Sequence, residues 1–158
     1  MCRPSPFRRT TRARIDNPTP PHVTGCHLGF TNTVTMKITA GRRATRLTWV
    51  SMLICTNDGF TGIDSIRLPR FVGGTTARYT TAYDAGTEQN TELFDDIVPP
   101  CQGLIGGPGS GGTGTSDPTL AENGFIHHHQ GIVGDADLDT ATYGWRNPVA
   151  VIVVKRIR

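Results

Sequence analysis

From residue 34 onward the chain is written in short runs of alternating apolar and polar residues, each closed by glycine or proline after about ten positions. That punctuation leaves little room for long helices and favours strands joined by turns. Val34, Met36 and Ile38 alternate with Thr35, Lys37 and Thr39, the period of two of a half-buried strand, and Gly41 ends the run. Leu47 to Ile54 is apolar at both parities, which predicts a central or a bulged strand. Ile63 to Leu68 is a short strand stopped by Pro69, and Gly73-Gly74 reads as a hairpin-type turn into a further alternating run from Thr76 to Tyr83. Thr91 to Val98 reads as a single helical turn or an irregular loop. Phe125 to Gln130 and Val149 to Val154 supply the last strands, the second apolar on both faces. Strand never alternates with helix, so the expected architecture is all-β: an antiparallel β-sandwich with long loops.

At 158 residues the chain holds about one domain. No stretch of about 18 apolar residues occurs, which excludes a membrane-spanning helix. The formal charge of +3 is concentrated at the start, in Arg3, Arg8, Arg9, Arg12 and Arg14. Prolines at 4, 6, 18, 20 and 21 surround those arginines without a hydrophobic period. Residues 1–33 are therefore expected to form a disordered basic arm, or a start foreign to the domain, with residues 34–158 as the folded unit, truncated at its N-terminus in the second case. Nucleic acid is not expected as a partner, because the arginines lack aromatic or fold-level support. The segment also lacks the apolar core of a secretory signal peptide.

Two segments concentrate chemistry. Thr56-Asn57-Asp58-Gly59-Phe60-Thr61-Gly62-Ile63-Asp64-Ser65 and Ala82-Tyr83-Asp84-Ala85-Gly86-Thr87-Glu88 place acids beside glycines on what read as two loops of a β-protein. A hard cation such as calcium takes about 6 to 8 oxygens from such loops. In the plainer reading Asp58-Gly59 is a turn dipeptide and Asp84 caps its own loop. Gly109-Ser110-Gly111-Gly112-Thr113-Gly114 matches a dinucleotide fingerprint in letters only, since no strand precedes it and no helix follows. His127 and His129 share one face of a strand, and with Asp135, Asp137 or Asp139 they are the residues a metal-dependent hydrolase would use. Against that, no His-Glu-x-x-His or nucleophile-elbow motif is present, and a structural role near Trp145 is the alternative. Cys55 and Cys101, 46 positions apart, form either a disulfide, worth about 4 kcal/mol by the chain-entropy argument, or two separate thiols.

The two acidic segments, followed by Gly124-Phe125-Ile126-His127 with His129 and by Trp145-Arg146-Asn147-Pro148-Val149-Ala150, resemble the ordered motifs of the spondin N-terminal domain family. The likeness is to bacterial spondin-domain proteins, which are similar to the domain of F-spondin and mindin, and it covers residues 34–158. It implies a non-enzymatic, calcium-binding β-sandwich with an adhesion or ligand-binding role, secreted or on the cell surface. The partner would be an extracellular protein, a glycan or another surface ligand. By the same resemblance the calcium ligands are Asp58, Asp84 and Glu88, the last standing where animal members usually carry Asp. Hydrolysis at His127 and His129 is the competing function.

Overall fold

The computed structural model describes residues 9–16 (backbone), 33–41, 43–97, 118–141 and 143–158. Eight strands form two four-stranded antiparallel sheets, so the fold is all-β as expected. The first sheet has the order β2-β1-β8-β5, with β1 Arg9–Asp16, β2 Thr33–Ala40, β8 Ala150–Arg156 and β5 Thr75–Thr80. The second has the order β3-β4-β6-β7, with β3 Arg46–Met52, β4 Gly59–Arg67, β6 Ala82–Asp84 and β7 His127–His128.

Four differences from the sequence reading follow. Arg9–Asp16, expected within a disordered arm, is a strand between β2 and β8. Its text, Thr11, Ala13 and Ile15 alternating with Arg12, Arg14 and Asp16, has a period of two that the neighbouring prolines and arginines obscured. Of the two expectations for the β3 run, a central or a bulged strand, the second holds: it lies at a sheet edge with Val50 and Met52 exposed, and its register shifts between Leu47 and Trp49. The first acidic segment is a loop only as far as Asp58, because Gly59–Arg67 is strand. The Phe125–Gln130 strand contracts to two residues. Residues 101–117, with the glycine run and Cys101, lie outside the described residues.

Hydrophobic burial accounts for the packing of one sheet on the other. Ile152 and Val154 of β8 are buried against Ile66 and Leu68, and Ala40, Leu47, Trp49 and Ile63 pack around them. β8 has neighbours on both edges, and both parities of its sequence are apolar and at least half-buried up to Val154. Truncating Ile152 to Ala would cost about 2–5 kcal/mol. Ile97 and Leu138 make a second cluster from the loops, packed with Cys55, Phe94, Ile132 and Tyr143. That loop cluster supports the end of the molecule at which the acids gather.

The run from Thr75 to Asp84 changes sheets at Thr81: β5 pairs with β8, while β6 pairs with β4. The crossing is pinned by side chains. Thr61 Oγ1 lies 2.7 Å from the Thr81 carbonyl and 2.8 Å from Thr80 Oγ1. Asn147 Oδ1 accepts the Ala82 N–H at 2.8 Å, which gives the Trp145-Arg146-Asn147-Pro148 segment a structural task.

Candidate functional site

Sheet register builds the site. Gly59 faces Asp84, and Asp84 faces His127, in one row across β4, β6 and β7. The next row is Phe60, Tyr83 and His128, whose rings stack at centroid distances of 5.6 and 5.0 Å. Because successive residues of a strand alternate faces, the aromatic row belongs to one face and the Asp84 row to the other. His129 N–H, donating to the Ala82 carbonyl at 3.1 Å, continues the inner face, where Gly59, Thr61, Ala82, Asp84 and His129 are all buried. His127 and His129 thus share a face, as their spacing predicts.

A tight turn carries Asp58 to this row. Thr56 Oγ1 donates to the Leu53 carbonyl at 2.6 Å and accepts the Gly59 N–H at 2.9 Å. Gly59 has no alternative here, since a Cβ would stand 2.5 Å from Thr56 Oγ1 and 3.0 Å from His129 Cδ2. Asp58 Oδ2 then accepts Thr87 N–H at 2.6 Å, Thr87 Oγ1–H at 2.7 Å and Glu88 N–H at 3.0 Å. One carboxylate oxygen therefore ties the first loop to the second.

Asp84 is fully buried. Its Oδ1 accepts the Gly86 N–H at 2.7 Å and its Oδ2 accepts Asn90 Nδ2 at 2.5 Å. The basic group recorded near it among the described residues is His127, whose Nε2 lies 3.9 Å from Oδ2. Burial pushes the Asp58 carboxyl up, but the donors of Thr87 and Glu88 and the adjoining Asp84 carboxyl together hold it below the ordinary value. The two acids therefore adjoin each other with His127 as the basic group recorded beside Asp84. Among the described residues, Asp58 Oδ1, Asn57 Nδ2 and His129 Nε2 are buried polar atoms without a partner.

The histidines differ in kind. His127 Nδ1 lies 2.9 Å from the Phe125 carbonyl, and that bond, with Asp84, Glu122 and Asp58 around it, raises the pKa above the ordinary value despite some desolvation. His129 is 5 % exposed, and burial lowers its pKa although Asp84 and Asp58 pull the other way. Its Nδ1 accepts the Gly131 N–H at 3.0 Å, so in the neutral ring the proton sits on Nε2. A ring nitrogen that carries a proton cannot ligate a metal. The ring of His129 instead packs on Trp145 at 5.1 Å.

Asp58 and Asp84 are brought beside each other, and the Glu88 backbone amide bonds Asp58. The Glu88 carboxylate does not complete a three-acid cluster: among the described residues no group of three or more His, Cys, Asp or Glu side chains is arranged to hold a metal ion. Of the acids expected beside the histidines, Asp135 is exposed, and Asp137 and Asp139 hold backbone amides elsewhere. Asp137 Oδ2 accepts Phe94 N–H at 3.0 Å and Asp139 Oδ1 accepts Ala141 N–H at 3.0 Å. The acids that act on the two rings are Asp84, Asp58, Glu92 and Glu122.

Glu92 went unanticipated. It is buried at φ 55°, and its two carboxylate oxygens accept Val133 N–H at 2.6 Å and Gly134 N–H at 2.7 Å. Its partners are 41 and 42 positions away, and no local sequence signal marks such a clamp. Comparison with family models, with curated proteins and with solved structures returns no match.

Proposed function

We propose that the chain is a non-enzymatic, calcium-binding β-sandwich of spondin type that presents a fixed loop surface for adhesion or ligand binding outside the cytoplasm. The observation that carries this reading is Asp58 Oδ1, a buried oxygen with no donor, beside the wholly buried Asp84 carboxylate. Hard oxygens with unspent lone pairs suit calcium, which also takes carbonyls and water and so does not require three acids in place beforehand. Asp58 and Asp84 would hold the ion. The Glu88 carboxylate, which is not clustered with the two aspartates here, would join them as a third ligand only on binding.

When bound, calcium supplies positive charge that offsets the repulsion of the two acids. The protein's own part is rigidity: Thr87 and Glu88 amides fix Asp58, while Gly86 and Asn90 fix Asp84. Partners of the resulting surface would be an extracellular protein, a glycan or another surface ligand. A Cys55–Cys101 disulfide belongs to the same proposal, supported by Cys55 not being a free thiol. It would tether the residue that precedes the acidic turn, in the oxidising compartment where such bonds persist.

Zinc hydrolysis at His127 and His129 is the weaker reading because Nδ1 of His129 accepts the Gly131 N–H, which leaves the proton of the neutral ring on Nε2. Thermal melting against calcium concentration tests the choice. The melting temperature should rise through the millimolar range and the rise should vanish in Asp84→Asn. An unchanged melting temperature, or stoichiometric zinc lost in His127→Gln, would overturn the proposal.

A further inference from the structure

At the opposite end of the sandwich the charge is reversed. β4 runs nine residues from Gly59, beside the acids, to Arg67, a span of about 26 Å at ~3.3 Å per residue. There a cavity of about 600 Å³ is lined by Thr45, Arg46, Arg67, Leu68, Arg70 and Phe71. Arg46 and Arg67 stand directly opposite each other across β3 and β4, a like-charge pairing that costs stability unless something compensates it. Among the described residues no carboxylate lines the cavity, and the recorded ion pair is that of His127 with Asp84. Arg46 acts through space on Asp64, but its own Nη1 donates to the Ser65 carbonyl at 2.7 Å.

The backbone around the cavity is fixed. Leu68 N–H donates to Thr45 O at 2.8 Å, Gly74 N–H to Phe71 O at 3.0 Å, and the Arg156 guanidinium to the Arg70 carbonyl. Phe71 is 77 % exposed at the rim of this positively charged space. Guanidinium forks recognise oxyanions in bidentate fashion, and an exposed ring offers a flat apolar face of the kind a sugar packs against.

We infer that this cavity binds an anionic saccharide carrying sulfate or phosphate esters, the oxyanions on Arg46, Arg67 and Arg70 and a sugar face on Phe71. The inference does not depend on the cation site, and calcium-free buffer keeps the two apart. Titration calorimetry of the full chain with EGTA present would compare a heparin octasaccharide, its desulfated form, a phosphomannose oligosaccharide and a short single-stranded DNA. At least one ester-bearing saccharide should bind, and the desulfated form should not. Which of the two binds more tightly assigns the ester. Arg67→Gln with Arg70→Gln should weaken that binding about tenfold or more while leaving thermal melting intact, because both side chains are exposed. Arg3→Gln with Arg8→Gln should change it by less than about twofold. Absence of saccharide binding, loss in the Arg3/Arg8 variant instead, or tighter binding of the DNA would overturn the inference.

Discussion

At the scale of single residues the acidic end rests on a few positions with no substitute. Gly86 has φ 68°, and a Cβ there would meet the backbone N and O of Phe125 at 2.7 Å. Gly86→Ala should therefore cost about 2–4 kcal/mol in a urea titration, the left-handed strain and the clash adding together. His127 and His129 should titrate on opposite sides of the ordinary 6.5 when followed by NMR in calcium-free buffer, His127 above and His129 below. The linkage signs are opposite too. Stability from His129 is present above 6.5 and is lost as pH falls through its depressed folded value, because the unfolded ring takes up the proton first. Stability from His127 is present below 6.5 and is lost as pH rises through its raised folded value. Asp58 contributes above 3.8 and loses that contribution as pH falls through its lowered value. A His129 resonance that titrates above 6.5 would contradict its placement.

At the scale of elements, what could be read in advance was what is local. The strand at Thr33–Ala40, the apolar run of β8 and a turn at Gly73-Gly74 are each decided by neighbours in sequence, and each is observed, but Val34 and Met36 are exposed rather than half-buried and the turn passes the chain from one sheet to the other instead of closing a hairpin. The acids of the two loops were legible for the same reason, since Asp58-Gly59 and Asp84-Ala85-Gly86 carry their own turn chemistry. Pairing is not local. That β3 is an edge, and that Thr75–Asp84 crosses between sheets at Thr81, depend on partners far along the chain. β1 was hidden because arginine and proline composition outweighed a short period of two. Its place between β2 and β8 has a sharp consequence: Arg14→Pro removes a backbone donor from an inner strand and should cost about 3 kcal/mol or more in thermal or urea unfolding. Unchanged stability would detach β1 from the sheet. The Glu92 clamp joins two loops, so Glu92→Gln should cost about 1–3 kcal/mol, with faster amide exchange at Val133 and Gly134 as its local signature.

At the scale of the whole molecule the two sheets set a polar axis, with buried acids at one end of β4 and arginines at the other. The hydrophobic cluster of Ile66, Leu68, Ile152 and Val154 lies between the sheets, while Ile97 and Leu138 brace the acidic end from the loops. A bound cation would therefore act on a preformed frame, closing two loops already joined through Asp58. The most direct measurement is an amide NMR titration with calcium chloride. The account predicts saturable shifts of Asn57, Asp58, Gly86, Thr87 and Glu88 at one equivalent, abolished in Asp58→Asn. Shifts that never saturate, or that fall only on exposed acids such as Asp95 and Asp135 while these five amides stay still, would contradict it.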